Sequence, residues 1–407
     1  MEGEVFMMKL RPHQERIVNK MSTTPKGQVI VPTGGGKTMC MIKDAQREFN
    51  SCSWDVFVKR PERKTVVVVS PRILLAQQHC DEFEEFLGLH PMLQRKILHV
   101  HSGDTSYDST TNPDEISEWN SKQYRFNKLI FTTYHSLNRL QSAEIDVNTI
   151  YFDESHNSVS RNFFPAVEYY SEEANRCYYF TATPKHSLTP FKAGMNDEDV
   201  YGEVIADIPA PKLVKEGYIL PPKMLVKTIN VAEEDVNECK HIVDTIDEIS
   251  VKKVLICARS TKQIIKLIDQ TNFTQELASR DYSCMYITAK TGAYIDSKKV
   301  DRDTFFDTLN TWGKDATKRF VVLHHSILSE GINVKGLEAA IFLRNMDIIG
   351  LSQTIGRVIR TGDNNKKYGL VVVPTWDKVG ISTSKRLSSV VDTVFNRGEV
   401  AISKVRK

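Results

Sequence analysis

The segment VPTGGGKT, residues 31–38, sets three consecutive glycines before a lysine and a threonine. Glycines let a loop approach a ligand closely, and a loop between a strand and a helix N-terminus directs backbone N–H groups at a phosphate. Lys37 would then reach the β- and γ-phosphates, and Thr38 would hold Mg²⁺. The alternative is a flexible turn that happens to precede a lysine. The pattern favours a phosphate-binding loop, although Val31 stands where the strict pattern has glycine.

A pair of acids follows another apolar run. In NTIYFDESH, Asp153 and Glu154 come directly after the apolar residues. Adjacent carboxylates at the end of a buried strand are costly unless they bind something. Asp153 suits Mg²⁺, directly or through water, and Glu154 suits the orientation or activation of an attacking water. The alternative is a strand-ending turn whose acids are solvated.

Two further segments are weaker signals. TATP (181–184) ends an apolar run, and its threonines are short hydrogen-bonding arms, but for this segment alone a strand leading into a proline turn is the favoured explanation. QTIGRVIR (353–360) is predicted to open a helix on which Arg357 and Arg360 share a face. Arginines can neutralise the charge that develops on a transferring phosphate. A basic helix face in water is the alternative.

Short apolar runs that alternate with helical stretches must position these residues. Runs rich in β-branched and aromatic residues are typical of buried parallel strands, and their alternation with helices indicates βαβ units. The fold class is therefore predicted as α/β with two tandem parallel-sheet domains, residues 1–222 and 223–407. Prolines predict a linker near 209–223, and the polar stretch 101–123 is predicted to be a surface loop. The runs are 27–31, 65–70, 128–133, 148–154, 176–183, 252–258, 319–325, 338–344 and 368–374.

Length and composition limit the number of domains and the class of protein that the chain can form. The 407 residues fit two domains of about 200 residues each. No run of about 18 uncharged apolar residues is present, so no membrane span is expected. Seven cysteines without the spacing of a metal clip predict free thiols in a reducing, intracellular compartment, cytoplasmic or nuclear. The net charge is +3, but residues 353–407 carry +7, as expected for local contact with a polyanion or for a solubilising tail.

Taken together and in order, these segments resemble the superfamily two helicases and translocases of the DExH type. The resemblance covers nearly the whole chain, and the ordered set is far more specific than any one segment. Asn333 departs from the pattern, because aspartate is frequent at that position. The matching segments are RPHQ (11–14), VPTGGGKT (31–38), SPRILLAQQ (70–78), TTYHSL (132–137), DESH (153–156), TATP (181–184), LICARSTKQ (255–263), SEGINVKGLEAAI (329–341) and QTIGRVIR (353–360).

The resemblance implies two RecA-like domains that bind ATP and Mg²⁺ in a cleft and single-stranded nucleic acid across both domains. Catalytic roles are implied for Lys37, Asp153, Glu154, Gln353, Arg357 and Arg360. Nucleotide contacts are implied for Arg11, Gln14, Pro32, Thr33, Gly34, Gly35, Gly36, Lys37, Thr38, Gly331 and Asn333, and Mg²⁺ ligation for Thr38 and Asp153. Nucleic-acid contacts are implied for Arg72, Thr132, Thr133, Thr181 and Thr183.

The segment VKEGYILPPKM (214–224) resembles the junction of the two domains in restriction-enzyme translocases and in phage and excision-repair DNA helicases. The partner implied is therefore DNA rather than RNA, and the chain is expected to act as a monomer. Its small size is compatible with a viral origin. Three alternatives stay open: an RNA helicase, a double-strand translocase or remodeller that does not separate strands, and a binding module whose degenerate site only senses nucleotide.

Overall fold

The computed structural model describes residues 9–51, 54–55, 60–61, 63–88, 94–229, 237–288, 290–325, 336–361, 366–375 and 380–405. They form two compact units. The first holds the described residues of Met1–Pro32, Gly36–Ile208 and Ile402–Lys407, and the second holds those of Thr33–Gly35 and Pro209–Ala401. Each unit is built on one eight-stranded sheet. The predicted α/β class with tandem RecA-like sheets is confirmed.

The sheet of the first unit is parallel throughout. Numbered in chain order, its strands lie across the sheet as β11 (Val204–Asp207), β1 (Lys26–Ile30), β9 (Arg176–Thr181), β8 (Thr149–Phe152), β4 (Thr65–Ser70), β7 (Asn127–Thr133), β5 (Arg95–Val100) and β6 (Asp108–Ser109). Two short pairs accompany it, β2 (Trp54–Asp55) with β3 (Arg60–Pro61) and β10 (Lys185–His186) with β20 (Ser403–Lys404). The helices are α1 (Pro12–Met21), α2 (Lys37–Asn50), α3 (Ile73–Phe86), α4 (Pro113–Lys122), α5 (Leu137–Ser142), α6 (Phe164–Glu173) and α7 (Glu198–Tyr201).

Burial explains why the central strands read as unbroken apolar runs. All six residues of β4 are buried, because a parallel sheet is covered by helices on both faces. On one face Val67, Ile130, Phe152 and Tyr179 belong to a single core cluster. The rings of Phe152 and Tyr179 stack at 5.0 Å between centroids. This packing holds the carboxyl ends of the central strands at one edge of the sheet.

The second unit has a mixed sheet. Its first six strands pair in parallel, while β15 and β16 continue the sheet antiparallel. The spatial order is β12 (Pro222–Thr228), β19 (Gly369–Thr375), β18 (Ala339–Phe342), β13 (Lys253–Cys257), β17 (Phe320–His324), β14 (Ser283–Thr288), β15 (Gly292–Ile295) and β16 (Lys298–Val300). The helices are α8 (Ala210–Lys215), α9 (Glu238–Ile249), α10 (Thr261–Asp269), α11 (Phe273–Ala278), α12 (Arg302–Lys314), α13 (Ile348–Val358) and α14 (Ile381–Val390), with a π-helical segment Val391–Asn396.

Two local predictions, for residues 101–123 and 209–223, are wrong in part. The stretch 101–123 contains β6 and α4 rather than loop alone. Asn112 caps α4, since its Oδ1 accepts a hydrogen bond from the N–H of Asp114 at 3.1 Å, and Pro113 occupies the first turn. Ile116 is buried and fixes the helix to the core. The region 209–223, predicted as a linker, likewise contains α8 and the first residues of β12.

QTIGRVIR does not open a helix. Helix α13 begins at Ile348, where Asp347 accepts a hydrogen bond from the N–H of Gly350 at 2.9 Å, and it ends at Val358. Arg360 lies beyond that end and pairs with Ile219 in an isolated antiparallel bridge. The prediction that Arg357 and Arg360 share a helix face is therefore wrong. Pairing of this backbone with the chain near 219–220 replaces the next helical turn.

No helix among the described residues is both long enough and apolar enough to cross a lipid bilayer.

Candidate nucleotide-binding and hydrolysis site

Strand order in the first unit brings the predicted motifs together. The neighbours β1, β9, β8 and β4 all end at the same edge of a parallel sheet, where ligands bind in open α/β folds. The glycine-rich loop follows β1, Thr181 ends β9, Asp153 follows β8 and Ser70 ends β4. Main-chain hydrogen bonds continue the sheet into the site, from Val31 N–H to Thr181 O and from Asp153 N–H to Val69 O, both at 2.9 Å.

The glycine-rich loop has the backbone that its sequence predicts. Gly34 and Gly36 adopt left-handed conformations, with φ of 86° and 84°. Helix α2 begins at Lys37, so the first backbone N–H groups of a 14-residue helix open at the end of the loop. A Cβ on Gly36 would lie 2.2 Å from Nε2 of Gln14. The left-handed conformation therefore favours glycine here, and a larger residue would displace the Gln14 amide.

Gln14 connects α1 to this loop. Pro12 starts α1, and the main-chain N–H of Arg11 donates to Gln14 Oε1 at 2.9 Å. Gln14 Nε2 in turn donates to the carbonyl of Gly36 at 3.3 Å. Gln14 is only 4% exposed, so its amide is held against the loop. The structure brings this residue to the loop, while adenine recognition by Arg11 and Gln14 stays a prediction.

The acid pair faces the lysine of the loop. Nζ of Lys37 lies 3.1 Å from Oε1 of Glu154, and both acids are 5% exposed. Glu154 has a φ of 45° and a ψ of 51°, a left-handed conformation that is unusual for a residue other than glycine. Such backbone costs about 1–3 kcal/mol and is concentrated at functional sites. The Glu154 carboxylate in this conformation faces Lys37.

Asp153 is held by its main chain and by one carboxylate oxygen. The hydroxyl of Tyr134 donates to the Asp153 carbonyl at 2.9 Å, and Nε2 of His79 lies 3.4 Å from Oδ2. Burial by itself raises the pKa of Asp153, but the contact with His79 and the charge of Lys37 outweigh it, so this pKa lies below its usual value. Asp153 is therefore ionised at neutral pH.

Oδ1 of Asp153 fits a divalent cation. This atom is buried and has no hydrogen-bond partner among the described residues. A buried, ionised carboxylate oxygen needs a partner, and oxygen ligands of this kind are those that Mg²⁺ prefers. Thr38, the other residue predicted to hold Mg²⁺, is the second residue of α2. The chemistry of Asp153 Oδ1 therefore fits Mg²⁺, and ligation by Thr38 stays a prediction.

A second histidine links the acid pair to the threonines of TATP. Nδ1 of His156 lies 3.5 Å from Oε2 of Glu154 and 3.1 Å from Oγ1 of Thr181. Thr181 Oγ1 also accepts a hydrogen bond from the N–H of Thr183 at 3.1 Å. The side chain of Asn157 donates to the Glu154 carbonyl at 2.9 Å. Thr181 therefore contacts the acid pair through His156.

The residues predicted to contact nucleic acid differ in exposure. Arg72 is exposed directly before α3. Thr132 and Thr133 are buried, and they donate hydrogen bonds to Val100 O at 2.9 Å and to Ser136 Oγ at 3.4 Å. Thr181 and Thr183 are buried as well. Contact between these five residues and nucleic acid stays a prediction.

In the second unit, α13 carries Gln353 and Arg357, and both side chains are buried. Arg360 is half-buried at the bridge beyond the helix. The ammonium group of Lys366 donates to the carbonyl of Val358 at 2.6 Å, which caps the end of the helix. Gly331 and Asn333 lie outside the described residues. The catalytic and nucleotide contacts assigned to all of these stay predictions.

Sequence reasoning gave no role to four residues that contact the acid pair or its supports: Ser70, His79, Tyr134 and His156. Three of them lie inside segments quoted for other reasons, and His79 directly follows SPRILLAQQ. The sequence signal that could have identified His79 and His156 is a histidine next to or inside one of the motifs SPRILLAQQ and DESH. The contacts of His79 and Tyr134 with Asp153, and of His156 with Thr181, join segments that follow different strands, and a linear pattern does not show such pairs.

Comparisons with known proteins give one family match and several structural likenesses. Residues 7–186, just under half of the chain, match the family model ResIII, described as the type III restriction enzyme res subunit. No curated protein matches the chain. Among solved structures, the type ISP restriction-modification enzyme LlaBIII bound to DNA is 16% identical over 98% of this chain, with a TM-score of 0.72. The related enzyme LlaGI, with a DNA substrate mimic, is 18% identical over 97%, with a TM-score of 0.66.

An RNA-bound protein shares the fold as well. Mss116p bound to single-stranded RNA and AMP-PNP is 15% identical over 98% of this chain and 75% of its own, with a TM-score of 0.62. The chain spans about a third of the length of the two restriction-modification enzymes, at 31% and 30%. At these identities the likeness shows the fold.

The structural likenesses show a tandem RecA-like fold, and the ResIII model matches most of the first unit. The ResIII match and the structural likenesses support the assignment of the chain to the superfamily two helicases and translocases. The neighbours include DNA-bound and RNA-bound proteins, so the fold does not distinguish the two nucleic acids.

Proposed function

We propose that the chain is a nucleic-acid-stimulated ATPase that couples ATP hydrolysis to movement along, or unwinding of, DNA. One observation carries the proposal: Lys37 of the glycine-rich loop lies 3.1 Å from Glu154. The adjacent residue, Asp153, has a buried Oδ1 with no hydrogen-bond partner in the described part of the chain. Loop, lysine, water-orienting acid and cation ligand therefore meet at one edge of one sheet. ATP hydrolysis needs this combination of groups.

Each group has a proposed task. The N–H groups from Gly34 to Thr38 cradle the phosphates, and Lys37 moves from Glu154 to the β- and γ-phosphates. Thr38 and Asp153 would hold Mg²⁺, which neutralises phosphate charge when bound. Glu154 orients the attacking water and takes its proton. Arg11, Gln14 and Pro32 to Thr33 are proposed to contact the nucleotide.

The second unit is proposed to contribute Gln353, Arg357 and Arg360 to phosphate chemistry. A guanidinium stabilises the charge that spreads over the γ-phosphoryl oxygens, which is the basis of an arginine finger. Gly331 and Asn333 are proposed nucleotide contacts. Arg72 and the segments around Thr133 and Thr183 are proposed to contact the nucleic-acid backbone, and such contacts are largely to phosphates.

DNA is favoured over RNA by the family match, whose name is that of a restriction-enzyme subunit, and by the DNA-bound neighbours. A double-strand translocase that does not separate strands is the second candidate. The likeness to LlaBIII, a restriction-modification enzyme bound to DNA, is compatible with this alternative and with strand separation alike. An RNA helicase is the third candidate, supported by the likeness to Mss116p.

The deciding experiment measures phosphate release with single- and double-stranded DNA and RNA of the same length and sequence. We expect DNA to stimulate turnover more than RNA does. Greater stimulation by RNA would reverse the preference, and no hydrolysis with any nucleic acid would favour a nucleotide-sensing binding module. Strand separation and displacement of a bound third strand, measured in parallel, distinguish unwinding from translocation alone.

A further inference from the structure

Asp153 is contacted by a histidine that the proposed mechanism does not use. His79 lies on α3, the helix that follows β4, and its side chain is 2% exposed. Its Nε2 atom is 3.4 Å from Oδ2 of Asp153. Strand β4 is the neighbour of β8, with Val69 paired to Phe152, so the helix that follows one strand reaches the carboxylate that follows the other.

The second nitrogen of the His79 ring is also engaged. Nδ1 lies 2.9 Å from Oγ of Ser70, the fully buried last residue of β4. When the Ser70 hydroxyl donates to Nδ1, the ring hydrogen is on Nε2 and faces Asp153. Both ring nitrogens then have partners while the ring is neutral. The contact with Ser70 therefore fixes the orientation of the His79 ring, with Nε2 towards Asp153.

These contacts leave one donor atom of Asp153 for a ligand. Its carbonyl accepts from Tyr134, its Oδ2 faces His79, and its buried Oδ1 has no partner among the described residues. A carboxylate whose other oxygen is held cannot rotate without losing that contact. We propose that His79, oriented by Ser70, is a positioning residue that holds Oδ2 of Asp153 and so directs Oδ1 at Mg²⁺.

This inference rests on the proposed function, because it concerns the cation that accompanies ATP. Side chains that orient metal ligands commonly change metal affinity by about 10–100-fold when they are replaced. His79→Leu removes the contact and keeps an apolar side chain in the buried site. His79→Gln keeps an N–H group on a side chain of similar reach. His99→Leu is a matched control, since His99 is equally buried in the same unit and bonds to His101 at 2.9 Å.

The test titrates Mg²⁺ into each variant with a fluorescent ATP analogue and measures binding, with EDTA as the metal-free arm. We expect His79→Leu to raise, by about 10–100-fold, the Mg²⁺ concentration at which binding of the ATP analogue is half-maximally enhanced. Binding of the analogue in EDTA should be unchanged. His79→Gln should recover part of the affinity, and His99→Leu should match the wild type. Thermal unfolding establishes that each variant is folded.

Two results would overturn the inference. In one, a folded His79→Leu variant has the wild-type Mg²⁺ midpoint. In the other, it loses binding equally with Mg²⁺ and with EDTA, which is the result of a merely structural role. If His79→Leu does not fold, Ser70→Ala removes only the hydrogen bond between Ser70 and His79. The Mg²⁺ midpoint of Ser70→Ala must then also be higher than that of the wild type. A wild-type chain that binds no nucleotide would refute the proposed function and this inference together, whereas a failure confined to His79 leaves the function standing.

Discussion

Nζ of Lys37 lies 3.1 Å from Oε1 of Glu154, so the cation of the glycine-rich loop is paired with the acid that is proposed to activate water. Both side chains are largely buried. A bound triphosphate would compete with Glu154 for Lys37, because a polyphosphate carries more charge than one carboxylate. Binding of ATP would then free the Glu154 carboxylate to orient and deprotonate the attacking water.

Lys37→Ala is expected to reduce ATP hydrolysis to background, because no other cation is assigned to that position on the phosphates. The measurement is phosphate release at saturating nucleic acid. Lys43→Ala, on the same helix and bonded to Gln46, is the control and should keep wild-type turnover. Turnover near wild type in a folded Lys37→Ala variant would refute the phosphate-loop assignment.

Glu154→Gln is expected to bind ATP and fail to hydrolyse it. The amide has the size of the carboxylate but cannot accept a proton from water, so turnover should fall by about 10²–10⁴. Nucleotide binding by fluorescence and single-turnover hydrolysis separate the two properties. Glu172→Gln, an exposed glutamate of α6, should change neither. If Glu154→Gln loses binding and keeps turnover, Glu154 has another role.

Arg360→Ala tests the proposed arginine finger. ATP affinity should stay within a few-fold of the wild type, while stimulated turnover should fall by about 10³–10⁵, the usual effect of such a residue. Arg360→Lys should recover little, because an ammonium group does not reproduce the planar guanidinium. Arg302→Ala, at an exposed position of the second unit, is the control. Stimulated turnover that is unchanged in Arg360→Ala would indicate an ordinary surface arginine.

Arg176 is expected to be a major contributor to the stability of the first unit. Its guanidinium lies 2.6 Å from Asp44 and 2.9 Å from Glu48, and Asp44 also accepts from the hydroxyl of Tyr151 at 2.6 Å. Asp44 is only 1% exposed, so Arg176→Met leaves a buried charge without its main partner. Removal of one partner of a buried pair costs about 3–5 kcal/mol in the free energy of unfolding.

Urea unfolding monitored by circular dichroism measures this loss. Arg176→Met with Asp44→Asn should recover part of it, because the second change removes the buried charge. Lys122→Met breaks an exposed pair with Glu118 and should cost less than about 1 kcal/mol. Equal effects of Arg176→Met and Lys122→Met would contradict the prediction.

Lys366 is expected to make stability depend on alkaline pH. Burial lowers the pKa of Lys366 from 10.5 to about 8. Between these values the unfolded chain binds more protons than the folded chain, so the free energy of unfolding should rise with pH from about 8 to about 10.5. Below pH 8 the lysine is charged in both states, and the full cost of burying the charge is present.

The difference between wild type and Lys366→Met isolates this effect from the titration of other groups. Relative to the variant, the wild type should gain stability across that window, by up to about 3 kcal/mol. The hydrogen bond from Lys366 to the Val358 carbonyl adds a constant stabilisation to the wild type. The test is therefore how the difference in the free energy of unfolding changes with pH. A difference that is constant from pH 7 to 10.5 would refute the prediction.

Much of the fold was predictable from local sequence. TVVVVS became β4 with the predicted bounds, and the runs near 127, 176, 253 and 369 became β7, β9, β13 and β19. These strands lie inside parallel sheets, so both of their faces are apolar and the run has no polar interruption. RKILHV, the strand β5, was not predicted, because it begins with two charged residues and only its last four residues are buried. The helix α4 was missed because its residues are mostly polar and only Ile116 among them is buried.

The sequence by itself determined which chemical groups the protein has: a glycine-rich loop ending in Lys37 and Thr38, and the acids Asp153 and Glu154 after a strand. These depend on residue type and on neighbours along the chain, so a linear pattern is sufficient to predict them. Only the tertiary structure decided which groups meet. The order of β4, β8, β9 and β1 in the sheet brings His79 to Asp153, His156 to Thr181, and Lys37 to Glu154. The end of α13 before Arg360 was likewise decided by pairing with Ile219, more than a hundred residues away. Contacts of this kind depend on strand order and on packing between distant segments, and neither is encoded in the spacing of residues within one motif.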